Sequence, residues 1–213
     1  SDWIEFGEKS DMLLAKTNRF ITDEKDTVYH HSAIIKGLEA GILYAYRVGS
    51  KDAKSEWNHF STAAATFSPF KFVFLGDPQN HLKTHCSRVF RAAYRHAPDA
   101  AFWLFTGDLV SEPEDWQFKD FFHAAGFIFK TIPLIMAPGN HDRAFLFQNG
   151  KIVLDEKNDR ERTERVAEEW KNHFTLPTNG PSGYDESTYY IDYQGVRFVI
   201  IDTNDEEKLN DQA

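Results

Sequence analysis

Cysteine is nearly absent: one residue of 213, Cys86. An internal disulfide and a cysteine-based zinc site are therefore excluded, and the thiol reads as a small buried hydrophobe. There is no run of eighteen apolar residues, so no segment is suited to span a bilayer. The stretch SDWIEFGEKS lacks the basic-then-apolar pattern of a secretory leader. Positive charge is also scarce, with 24 Lys and Arg against 33 Asp and Glu and a net charge of −9. A surface that displaces counterions from nucleic acid needs the opposite balance, so no nucleic-acid partner is expected. An anionic substrate would have to find positive charge locally, in a metal or a few basic side chains.

What is plentiful is apolar and aromatic: 41% of residues are hydrophobic and nineteen are Phe. That suffices for one packed domain and a fraction of another. Residues 1–66 read as all-β. WIEFG and ILYAYRVGS alternate, VYHHSAIIKGL does so loosely, EWNHFST closes the set, and Gly37, Gly41 and Gly49 punctuate it. Four or five strands fit there, fewer than the seven of a sandwich. GLEAGILYAYRV resembles the tyrosine corner of fibronectin type III-like sandwiches, with Tyr44 bonding back across the corner or serving as a plain strand residue. The expectation is a partial fibronectin III-like sandwich, cut at its front.

From residue 70 the period changes. FKFVFLGD, AAFWLFTGD and IPLIMAPGNHD are near-continuous apolar runs, as expected of strands buried on both faces. Between them, HCSRVFRAAYRHA and EPEDWQFKDFFHAAG carry helical spacing, the second with Pro113 near its start and Gly126 after its end. A long polar helix is predicted over 159–173, with Val166, Ala167, Trp170 and Phe174 on one narrow face. Two strands around a Gln194-Gly195 turn follow. Alternating strand and helix imply an α/β layered domain over 67–213 with parallel strands at its centre.

The three apolar runs end alike: GDPQN with Asp77, GDLVS with Asp108, GNHD with Asn140 and His141. A glycine precedes each polar residue, so the backbone can turn where the strand leaves the sheet. Parallel α/β sheets bind ligands beyond the carboxyl ends of their strands. Each turn alone is ordinary, since Gly-Asp after a strand is commonly a cap or turn. Three at successive strand ends bring two carboxylates, an amide oxygen and an imidazole together. Without a cation the carboxylates would repel and one would take up a proton; hard or borderline divalent cations use these ligand types.

The combination GDPQ…GDLV…GNHD resembles the calcineurin-like metallophosphoesterases. The β-module in front and HFTLPTNGP…STYYIDYQGVRFVIIDTN behind resemble the purple-acid-phosphatase-like branch. The resemblance implies a metallophosphoesterase-type sheet domain, incomplete at its C-terminus. It implies two divalent or trivalent metal ions (Fe, Zn or Mn) with Asp77 on one, Asp108 bridging both and Asn140 on the second. Gln79 stands where many relatives carry His and is either a weak oxygen ligand or none. His141 would face the phosphate, with Asp142 orienting it. The implied activity is acid-phosphatase or phosphoesterase hydrolysis in an extracytoplasmic (secreted or periplasmic) setting. Two cations about 3.5–4 Å apart would clamp the phosphate and lower the pKa of a bound water to roughly 7, giving hydroxide for in-line attack.

Two departures stand out. Ser111 occupies the place of the tyrosine whose phenolate colours true purple enzymes. The family's three further His ligands are missing, since only His173 follows His141. His173 is expected on a helix face and His30-His31 at surface or edge positions of the β-module. His81 and His85, at i and i+4 near Asp77, suit zinc or a solvated helix start. The competing reading is a non-catalytic extracytoplasmic binding module with a decayed phosphatase domain. A nucleotide-binding domain is disfavoured because no glycine-rich phosphate loop follows the first strand. The unpaired sheet edge of an incomplete domain would favour self-association.

Overall fold

The computed structural model describes residues 3–6, 11–22 and 25–204. Six strands precede residue 66 rather than four or five: Trp3–Phe6 (β1), Asp11–Leu14 (β2), Lys16–Ile21 (β3), Thr27–Ser32 (β4), Leu43–Gly49 (β5) and Asn58–Ser61 (β6). They form a four-stranded sheet in the order β2-β1-β5-β6 and the pair β3-β4. The extra strands, β2 and β3, lie in DMLLAKTNRFI, where most of β3 is solvent-exposed and shows no apolar alternation. Tyr44 is 9% exposed, and its hydroxyl accepts the Glu39 N–H at 2.8 Å. The corner bond expected of this tyrosine is thus present.

The second region is layered. Val73–Leu75 (β7), Trp103–Phe105 (β8) and Leu134–Met136 (β9) form a parallel sheet in that order, with Phe74 beside Leu104 and Leu104 beside Ile135. Ser87–His96 (α1), Asp115–Ala125 (α2), the short Ile128–Thr131 (α3) and Glu168–His173 (α4) supply the helices. Alternation sorts the β8 side chains: Trp103 and Phe105 join the core with Phe90, Phe118, Phe121 and Trp170. Phe102 and Ile135 face the other way, into a second cluster with Tyr189 and Ile200.

That second cluster is roofed by a hairpin, Tyr189–Tyr193 and Val196–Ile200, closed at Gln194-Gly195 as expected. Both turn residues have positive φ, 50° and 78°, the geometry that fits a two-residue hairpin to strand twist. Tyr189 reaches from it to the free side of β9, where its hydroxyl donates to Met136 O at 2.6 Å and receives the Met136 N–H at 3.1 Å. The first apolar run differs from expectation: β7 is an edge strand, and Phe72 and Phe74 are 41% and 62% exposed.

The helix predicted over 159–173 is half strand. Arg162–Val166 pairs antiparallel with Arg143–Phe145, and only Glu168–His173 is helical. Pairing with the strand that leaves the GNHD turn overrides the local preference of a charged, helix-compatible segment. The predicted buried face survives, with Val166, Ala167, Trp170 and Phe174 each under 9% exposed.

Candidate active site

The sheet's hydrogen bonding continues past its strand ends and draws the three loops together. Thr106 N–H donates to Leu75 O at 3.0 Å, Asp77 N–H to Gly107 O at 3.2 Å and Ala137 N–H to Phe105 O at 2.8 Å. Gly107 has φ of +104°, open to glycine alone at low cost. Gly139 is required by proximity instead: a Cβ there would lie 2.0 Å from Asp108 Oδ1. Asp77 and Asp108 themselves both adopt φ of 51°.

Asp108 occupies the junction. It is 8% exposed; its Oδ1 accepts the His141 N–H at 2.9 Å and its Oδ2 accepts the Gln79 side-chain amide at 3.3 Å. Its carbonyl also receives the Gln79 N–H at 3.1 Å. One residue therefore ties all three loops. Asp77 and Asn140 lie on the same loops with exposed side chains.

Asp142 is fully buried, and its carboxylate accepts N–H groups from Gly139 at 2.9 Å and Leu109 at 3.2 Å. Burial pushes its pKa up to about 7, the nearby Asp108 charge pushes the same way, and the backbone N–H bonds pull back. Two acidic groups held this close are what a cation would relieve. The donor set, carboxylates with amide oxygens, fits oxygen-loving divalent ions.

The imidazole of His141 is held by other groups than Asp142. Its Nδ1 lies 2.7 Å from Ser111 O and 3.3 Å from Arg162 Nη2, so an acceptor and a donor both hold that edge of the ring. Arg162, missed in the sequence because it fell within the predicted helix, donates to Ser111 O and His141 O, both at 3.0 Å. Arg143 was missed too. Its Nη2 meets both Asp202 oxygens at 2.6 Å with the two side chains 3% exposed, which ties the hairpin's end to the GNHD loop.

The remaining histidines separate. His81 has φ of 54° and precedes a π-helical turn, Leu82–Cys86, with the His81 and His85 rings 4.9 Å apart. His30 lies on a strand of the two-stranded β3-β4 sheet and His173 on helix α4, yet their side chains are only 15% and 10% exposed, both against Asp115.

A family model for the purple acid phosphatase N-terminal domain matches residues 1–62, and one for calcineurin-like phosphoesterases matches residues 70–212. The chain belongs to the calcineurin-like phosphoesterase family. No curated protein matches it. Among solved structures, a purple acid phosphatase from yellow lupin (Lupinus luteus) seeds superposes with a TM-score of 0.73 at 19% identity over 94% of this chain. PhoD does so with a TM-score of 0.56 at 14% identity over 95%. The chain spans 39% and 45% of those two proteins, respectively. Both likenesses speak to fold.

Proposed function

We propose that this phosphoesterase hydrolyses phosphate esters with two metal ions, of Fe, Zn or Mn, seated at the strand-end loops. The observation that carries the reading is Asp108, whose two carboxylate oxygens are engaged by residues from both flanking loops. Asp77 would hold one ion, Asn140 the other, and Asp108 both. When bound, the ions would neutralise the phosphate oxygens and acidify a water for in-line attack. Asp142 fixes the spacing of the GD and GNHD loops through their backbone N–H groups. Ser111 and Arg162 fix the His141 ring, which in its protonated form can donate from Nε2 to the phosphate or the leaving oxygen. Gln79 acts on Asp108 as a donor, which makes it an accessory group. The β-module is read as fibronectin III-like on the strength of the Tyr44 corner, with the division at residue 66. The setting is read as extracytoplasmic.

The strand-end geometry favours this reading over a decayed binding module, because the carboxylates of Asp108 and Asp142 tie the loops together. In the full-length protein, Asp108→Ala should abolish hydrolysis of an aryl phosphate and lower metal content. Gln79→Ala should be much milder. Equal effects of the two would overturn the assignment.

A further inference from the structure

His30, Asp115 and His173 come from three elements on both sides of the seam between the β-module and the α/β domain: strand β4, the first turn of α2 and the last turn of α4. Their ligand atoms lie within 4.8 Å of one another. Asp115 Oδ1 is 3.3 Å from His30 Nε2 and 3.4 Å from His173 Nε2. We propose that this cluster is a zinc-class metal site that joins the two domains, with His30 Nε2, His173 Nε2 and an Asp115 oxygen as ligands and water in the fourth position.

Three observations support it independently of the strand-end site, with which it shares no residue. The first is distance. Tetrahedral zinc with arms of about 2.0–2.1 Å has ligand-to-ligand edges of about 3.3–3.4 Å, and both nitrogen-to-oxygen separations, 3.3 and 3.4 Å, have that length. The second is an orphan: the buried His30 Nε2 makes no hydrogen bond, although a carboxylate lies beside it. The third is the outer partner. His173 Nδ1 lies 2.8 Å from the Glu169 carbonyl, an acceptor only, so Nδ1 carries a proton and the neutral ring aims a lone pair from Nε2 at Asp115. A lone pair facing a carboxylate at 10% exposure is unfavourable without a cation between them, and a carbonyl behind the far nitrogen is the usual support of a metal-bound imidazole.

The surroundings admit and retain an ion. Asp115 borders a groove of about 250 Å³ whose lining also carries Asp26, Glu114 and Glu169 against the single cation Lys119. Phe118 stacks on the His173 ring at 4.8 Å and Phe20 meets His30 edge-on at 6.3 Å, which fixes both imidazoles. The site would clamp the β-module to the helices that bear the α/β core.

The test titrates zinc and cobalt into the full chain carrying Asp108→Asn, which weakens the strand-end site. One zinc should remain stoichiometrically bound, and cobalt should give the intense visible bands of four-coordination. Adding His173→Gln or His30→Gln should lower affinity by at least the ~10–100-fold that loss of an outer partner costs, and should remove the zinc-dependent rise in Tm. Should either substitution unfold the chain, zinc X-ray absorption of the Asp108→Asn protein decides: two-imidazole scattering is expected. Absence of imidazole scattering, failure to bind zinc, or affinity unchanged by both His substitutions would overturn the proposal.

Discussion

Gly139 has no space for a side chain, because the position its Cβ would take is 2.0 Å from an oxygen of Asp108. Its φ of −97° is available to any residue, so the constraint is contact rather than backbone conformation. Gly139→Ala should therefore displace the Asp108 carboxylate and depress phosphatase activity of the full-length protein well beyond its effect on Tm; an unchanged kcat/KM would refute this. Tyr189 gives a second test. Its phenol is 1% exposed and serves both the N–H and the C=O of Met136. Burial pushes its pKa from 10.0 up to about 12, with the Met136 bond pulling back. A folded-state value above the unfolded one means stability that is complete below pH 10 and lost as pH rises from 10 to 12. Tyr189→Phe should lose about 1–3 kcal/mol at neutral pH, because it orphans buried backbone groups. In urea unfolding it should also lack this alkaline component of the wild-type decline.

At the scale of elements, the loop after β9 is anchored by a buried ion pair rather than by apolar packing. Arg143 and Asp202 are each 3% exposed, and Asn204 adds a bond from its side-chain amide to Pro138 O at 3.3 Å. Asp202→Ala leaves a buried guanidinium unpaired and should destabilise the chain by about 3–5 kcal/mol. Replacing both partners with Leu and Met should cost far less, and equal losses in chemical unfolding would show that the ion pair is incidental. Neither partner could be read as paired from the sequence, since 59 positions separate them. The strand-end loops were legible because apolar runs punctuated by glycine and acid repeat at one spacing. Arg162 was not, because its strand exists only through pairing with Arg143–Phe145, and local propensity carries no sign of that partner.

For the molecule as a whole, the N-terminal strands meet the parallel-sheet region through Tyr46 donating to Lys130 O at 2.6 Å, the Lys130–Glu56 pair at 2.7 Å and the Gln194 amide donating to Ala64 O at 3.2 Å. None of these contacts was legible in the sequence, nor was the burial of His30 against Asp115, because burial by a distant segment leaves no local pattern. Beyond the seam, Phe74, Val199 and Ile201 are 62%, 61% and 44% exposed, and among the described residues no strand pairs with the outer edge of β7. Such an edge promotes pairing between copies. The chain should associate with rising concentration in sedimentation velocity, and Phe74→Lys should shift it toward monomer; identical profiles would dismiss that role for the edge. His173 is engaged at the seam, and no other His follows His141. Residues 142–213 therefore leave no imidazole free for the strand-end site.

The left-handed backbone at Asp77 and Asp108 sets a conformational cost against the carboxylates. Conformations with positive φ favour glycine, and a residue bearing a Cβ adopts them at a cost of about 1–2 kcal/mol, less for Asp and Asn. At both sites, each at φ of 51°, glycine would meet the backbone conformation at lower cost, so each carboxylate is carried at a backbone cost that its removal to glycine would relieve.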